Sequence, residues 1–241
     1  MFFGTVGPIV TFILFFSGDN KPTDPKFKFP SISLTGGHYP EIIVFNMTLH
    51  IVAVATILMG WVVYSYYKSQ FGAYLRETGS NWVNKLNAFT FFTAIYVAFM
   101  LACTASVSIV PYHAAHGFFA GCMFLGAAFW GGLVTIINAK TRNAPNAPST
   151  HGSWYRYRLV VILTTVIIAV IYVVIMGPFM LHQCCPKGTP AGTCHLQWCA
   201  WKNWRNVVEY ILVAFLGAFI FSLKHETSKV TLDWAIRGKQ E

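Results

Sequence analysis

Five apolar runs, each about long enough to cross a bilayer, constrain what this chain can fold into. They cover Ile42–Tyr67, Leu86–Val110, Tyr112–Asn138, Leu159–Leu181 and Val207–Leu223, with charged or Pro/Gly-rich breaks between them. At about 1.5 Å of helical rise per residue, such runs match a hydrocarbon core roughly 30 Å thick. An earlier run, Met1–Phe16, reaches only about 24 Å on the same rise. Counting it as the first span, the chain is expected to be an all-α, polytopic membrane helical bundle of about six transmembrane helices.

Met1–Phe16 carries no basic n-region, and Phe15-Phe16-Ser17 is a poor cleavage site for signal peptidase. A retained first helix is therefore expected ahead of a removed, truncated or re-entrant segment.

Composition agrees with a membrane bundle. Hydrophobic residues make up 55% of 241 and charged residues 10%, the reverse of a soluble domain of this size. The longest loop has about 25 residues, which leaves no room for a soluble domain between spans. The whole chain reads as one transmembrane domain with lumenal or extracellular loops at 17–41 and 182–206.

The net charge of +9 is an orientation signal and no sign of nucleic acid. Lys68, Arg76, Lys85, Lys140, Arg142, Arg156, Arg158, Lys224, Lys229, Arg237 and Lys239 fall on one side, and Lys21, Lys26, Lys28, Lys187, Lys202 and Arg205 on the other. Eleven against six places both termini in the cytosol by the positive-inside rule. It also favours anionic lipid in the inner leaflet.

Cys103 and Cys122 lie inside apolar runs and read as packing residues. Cys184, Cys185, Cys194 and Cys199 crowd into the loop assigned to the non-cytosolic side, where two disulfides are expected. The adjacent pair Cys184 and Cys185 would each bond to Cys194 or Cys199. A zinc site including His195 is the alternative, although the spacing matches no common zinc pattern.

Pro40-Glu41 reads as the start of the second span, since proline suits a first turn and an acid suits the positive end of a helix. The sequon Asn46-Met47-Thr48 lies inside an apolar run, out of reach of glycosylation. Pro111 makes Leu86–Asn138 a tight membrane hairpin, and Gly117 and Gly121 form a small-xxx-small pair expected to serve close packing. Trp198, Trp201 and Trp204, like Trp154, Tyr155 and Tyr157, read as interfacial belts. Asn143–Pro148 is a linker, and the chain holds no phosphate loop, HExxH, GxSxG or paired-carboxylate motif.

With so few motifs, polar groups at membrane depth are the informative residues. Glu209 lies about one turn into the last span and pairs either with Arg205 on the same face or with a lipid headgroup or substrate. His50 shares a face with Asn46, while His113 and His116 open the fourth span behind Pro111. These imidazoles suit polar packing or headgroup and acyl chemistry better than metal, for which a third ligand is missing. The expected fold brings Ser31, Ser33, His38, Glu41, His113, His116 and Glu209 to one lumenal interface, and that convergence is the best sign of a site.

Several short motifs in order carry a family resemblance. They are Pro30-Ser31-Ile32-Ser33 followed by Gly36 or Gly37 and Pro40-Glu41, Leu86-Asn87, His113 or His116 with Gly117, Ser153-Trp154-Tyr155-Arg156-Tyr157-Arg158, and Glu209-Tyr210. With these the chain resembles the six-span superfamily that includes the post-GPI-attachment-to-proteins factor 2 group and the DRAM (damage-regulated autophagy modulator) group. Unlike the family pattern, no acid directly follows either histidine. The Ser-Trp-x-x-Arg entry to the fifth span is closer to the first group, and Pro-Ser-Ile-Ser-x-Thr-Gly to the second.

The first resemblance implies a lipid-handling protein of the Golgi or ER membrane, a factor for GPI-anchor lipid remodelling. The second implies an endolysosomal, autophagy-linked protein, and a third branch implies a plasma-membrane scaffold for lipid kinases. On the leading reading Ser31, Ser33, Glu41, His50, His113, His116 and Glu209 form a polar mouth for a GPI or phospholipid headgroup, with no cofactor and no metal. Acyl transfer ranks behind lipid presentation, because no nucleophile–base–orienter set is visible. The rival from another class is a non-catalytic accessory or scaffold subunit packed on partner membrane subunits.

Overall fold

The structure, a computed structural model, describes residues 32–35, 39, 41–109, 112–145, 147, 151–171 and 201–224. A single helical turn, α1 (Ile32–Thr35), precedes five long helices: α2 (Glu41–Glu77), α3 (Asn81–Ser106), α4 (His113–Thr141), α5 (His151–Val170) and α6 (Trp201–Ser222). The short first span, both chain termini and the four clustered cysteines lie outside the described residues. Cys103 and Cys122 are half-buried free thiols.

The helices overrun the apolar runs, most of all in α2, which continues ten residues past Tyr67 to Glu77. Polar residues beyond the hydrocarbon still form helix, because backbone hydrogen bonding is local and headgroups and water tolerate the side chains. Arg76 in the last turn suits the negative end of the dipole. The helix then stops at Gly79, whose φ of +69° is a left-handed conformation that glycine adopts without a Cβ penalty. Its N–H donates to the carbonyl of Arg76 at 3.2 Å.

Neighbours in sequence are neighbours in space. α2 packs on α3, α3 on α4, α4 on α5 and α5 on α6, while α6 also touches α4 and carries α1. The bundle therefore has two ends. One gathers the start of α2, the α3–α4 turn, α1 and the start of α6; the other gathers the α2–α3 and α4–α5 turns and the end of α6. They are called here the Glu209 end and the Arg158 end.

Small residues set the closest helix approaches. A Cβ at Gly60 would stand 2.5 Å from Ala94 Cβ, one at Gly126 3.0 Å from the Tyr96 ring, and one at Gly131 2.3 Å from the end of Ile162. Among the described residues nothing lies within 4 Å of a Cβ at Gly121, while Gly126 and Gly131 do sit at close helix contacts.

The main core lies toward the Arg158 end. Val63, Tyr66, Tyr67, Phe71, Leu75, Val83, Ala94, Trp130, Val134, Ile137, Val161, Ile162, Phe219 and Leu223 form one buried cluster. Its rings meet edge to face, Tyr66 on Tyr67 at 5.2 Å and Trp130 on Phe219 at 5.8 Å. Toward the Glu209 end the described residues form two small clusters, Ala53 with Ala98 and Leu101, and Phe124 with Ala169 and Leu212.

The outer faces are apolar too, with Leu58 60% and Phe92 65% exposed, an arrangement that suits lipid and not water. Among the described residues, Glu41–Glu77, Asn81–Ser106 and Ala114–Thr141 are long and apolar enough to cross a membrane, and Asn206–Ser222 is a shorter apolar helix.

Candidate functional site

At the Glu209 end a hydrogen bond joins residues 176 positions apart. Ser33 Oγ donates to Glu209 Oε1 at 3.1 Å, and both side chains are buried. The contact exists because α1 lies against α6, so Ile32–Thr35 is held on the last helix. Asn206, three residues before Glu209 and so on the same helix face, is 2% exposed. Two polar side chains thus point inward within one turn at the start of the apolar stretch Asn206–Ser222.

Glu41 is buried in the first turn of α2, where the positive end of the helix dipole favours a carboxylate. The antiparallel helix order puts it at the same end as Glu209. Burial of a carboxylate is costly unless the group is paired or hydrogen-bonded, and neither Glu41 nor Glu209 is without a partner.

The histidines have separate partners. His50 donates from Nδ1 to the Asn46 carbonyl at 2.7 Å, since a carbonyl can only accept. Its Nε2 then faces Ser106 Oγ at 3.4 Å across the α2–α3 contact. His116 is 3% exposed and donates from Nδ1 to the Val107 carbonyl at 2.6 Å, clamping the start of α4 to the chain leaving α3. Its Nε2 has no hydrogen-bond partner among the described residues.

Of the residues expected to converge, Ser33 and Glu209 meet directly. His116 bonds to the α3–α4 turn, and His50 sits on an exposed α2–α3 seam. Ser31, His38 and the side chains of His113 and Arg205 lie outside the described residues. No group of three or more His, Cys, Asp or Glu among the described residues is placed to hold a metal. Ser33, Asn206 and Glu209 together offer a carboxylate acceptor, an amide and a hydroxyl. Such a set hydrogen-bonds hydroxyl-rich or amine-bearing groups, and it lacks a histidine on the serine to act as base.

A second buried polar centre lies at the other end. Arg158, in the second turn of α5, is fully buried; its Nε donates to Ser222 Oγ at 2.9 Å and its Nη2 to the Ser222 carbonyl at 2.6 Å. The guanidinium caps the carbonyl end of α6, where a cation is favoured by both dipole and hydrogen bonding. Ser222 Oγ in turn donates to Phe219 at 2.6 Å. Reading Arg158 only as an orientation charge misses this role. The signal lay in its spacing from Arg156, because residues two apart on a helix point about 200° apart and cannot both face outward.

Asn87 and Asn138 add polar crosslinks to the core. Asn87 Nδ2 donates to the Tyr64 carbonyl at 2.9 Å, joining α3 to α2. Asn138 Nδ2 lies 3.4 Å from the Tyr67 hydroxyl, joining α4 to α2.

Apolar outer faces, small-residue helix crossings and buried polar crosslinks together define a multi-pass membrane helical bundle. More narrowly, the chain belongs to the Frag1/DRAM/Sfk1/Cwh43P N-terminal domain family, whose model matches residues 2–226. This family takes in the groups to which its motifs are similar. Neither a curated protein nor a solved structure matches the chain.

Proposed function

We propose that this protein handles membrane lipid, most like a factor for GPI-anchor lipid remodelling in the secretory pathway, and that the Glu209 end is its headgroup contact. The observation that carries the reading is the buried Ser33–Glu209 hydrogen bond. It joins a loop segment and a membrane helix that both bear family motifs, and it places a carboxylate where bare hydrocarbon would not tolerate one. Inositol sugars and ethanolamine supply the hydroxyl and ammonium donors that such a carboxylate accepts. Family membership supports lipid handling as the general role.

On this reading Glu209, Ser33 and Asn206 hold the headgroup, and Glu41 and His116 shape the helix ends around it. The Glu209 end faces the lumen of the Golgi or ER, and the basic Arg158 end faces the cytosol. Lipid presentation ranks ahead of acyl transfer, since among the described residues Ser33 donates to a carboxylate and meets no imidazole.

The test is native mass spectrometry of the full-length chain released from nanodiscs containing phosphatidylcholine with phosphatidylinositol or a GPI glycolipid. The wild type is expected to retain the inositol lipid preferentially, and E209Q and S33A to lose that preference while keeping the fold. Equal retention of phosphatidylcholine, or an unchanged preference in both variants, overturns the reading. Stoichiometric co-purification of another membrane protein with no retained lipid would replace it by the scaffold role.

A further inference from the structure

The Arg158 end carries a cluster of exposed cations. Lys68, Arg76, Lys85, Lys140, Arg142 and Arg156 are all exposed there, and among the described residues none of them has an ion-pair or hydrogen-bond partner. The one carboxylate among the described residues of that end is Glu77. Six cations gathered on one end of a bundle repel one another, an arrangement stabilised when anions occupy the space between them.

Two of these cations are held in place by aromatic rings from neighbouring helices. Lys140 Nζ of α4 lies 5.8 Å from the centre of the Trp82 ring of α3, and the guanidinium of Arg142, just beyond α4, lies 5.2 Å from that of Tyr155 on α5. A ring attracts the cation through its face. A guanidinium over a ring face spends none of its N–H donors on that contact, so they stay free for phosphate oxygens.

The platform itself is fixed. Tyr155 stands three residues before Arg158, whose bonds to Ser222 lock the start of α5 onto the end of α6. Lys85 follows Trp82 by three residues on the same face of α3, and Arg156 adjoins Tyr155. Trp82 is half exposed, and an exposed indole at a helix end sits at headgroup level. That level favours a lipid over a soluble anion.

We propose that the face formed by Trp82, Lys85, Lys140, Arg142, Tyr155 and Arg156 binds the phosphate of an anionic phospholipid headgroup, with Lys140 and Arg142 as its direct contacts. Nothing in this depends on what Glu209 holds. The face is separated from Glu209 by the length of the bundle and recognises charge of the opposite sign.

The experiment titrates the purified full-length chain in micelles with phosphatidylcholine, phosphatidylserine and a phosphatidylinositol phosphate, reading bound lipid by native mass spectrometry. Both anionic lipids are expected to bind more tightly than phosphatidylcholine. The double variant K140Q/R142Q should weaken that binding by roughly thirtyfold, as removal of two surface cations implies. W82L and Y155L should each weaken it about threefold with every charge retained, and G121A, whose added Cβ meets nothing within 4 Å among the described residues, should leave it unchanged. Should the double variant not fold, R142Q alone and a salt titration of the wild type give the same reading. Phosphatidylcholine binding as tight as the anionic lipids overturns the proposal. So does a folded double variant within twofold of wild type, or displacement of the lipid by inorganic phosphate at equal concentration.

Discussion

The two ends of this bundle are stabilised by different physics. At the Arg158 end, Tyr66, Tyr67, Phe71, Trp130 and Phe219 fill one continuous buried cluster, and a single guanidinium ties α5 to α6. At the Glu209 end the apolar clusters among the described residues are small and separate, and a hydroxyl on a carboxylate makes a long-range tie. Packing in a bilayer gains little from burial itself, because lipid is as apolar as the core. Shape and hydrogen bonding therefore decide where the bundle is rigid. The large aromatic cluster provides a frame at the Arg158 end, while at the Glu209 end buried polar groups join the helices.

The sharpest way to break this contrast is Arg158→Met, which keeps the side-chain length and removes the donors to Ser222. We expect a loss of about 3 kcal/mol in unfolding free energy, from charged hydrogen bonds and an exposed helix end. Reversible unfolding in mixed micelles measures it, and a loss below about 0.5 kcal/mol would mean that the aromatic cluster alone holds that end. Gly60→Ala should cost about 2 kcal/mol by forcing α2 from α3, because the obstructing atom is the Cβ of Ala94 and cannot rotate away. The same assay reads it, and tolerance would show that the α2–α3 seam is plastic.

Ser33→Ala tests the other end and should cost only about 1 kcal/mol, the net value of one hydrogen bond, with its larger effect on retained lipid. A stability loss equal to that of Arg158→Met would show both ends to be structural. Gly121→Ala is the smallest effect, within about 0.5 kcal/mol of wild type, since its Cβ meets nothing within 4 Å. A larger loss would place a helix neighbour there.

Much of the architecture was legible because apolar length is a one-dimensional signal. The positions of α2 to α6 follow from where hydrophobic runs begin and end, although their ends extend beyond the runs wherever polar residues continue the helix. The Ser33–Glu209 meeting was legible as convergence at one depth, because an even helix count between two polar residues returns them to the same side. What the sequence could not reveal was rotation about each helix. Arg156 and Arg158 look alike in a charge count, yet one is exposed and the other fully buried. Gly121 and Gly131 look alike as small residues, yet only the second meets a neighbour. The partner of His116 was hidden for the same reason, since its acceptor is a backbone carbonyl in the preceding turn.

The clamp between Arg158 and Ser222 also bears on how the protein is made. Its two halves are 64 residues apart, so during synthesis the arginine emerges well before the serine and carbonyl that receive it. Until then α5 carries a cation at its edge whose final acceptors do not yet exist, and it gains by waiting beside the insertion machinery or at the membrane surface. Biogenesis should therefore proceed with α5 and α6 entering the bilayer as a pair, and a chain stopped short of residue 222 should leave α5 poorly inserted and marked for degradation.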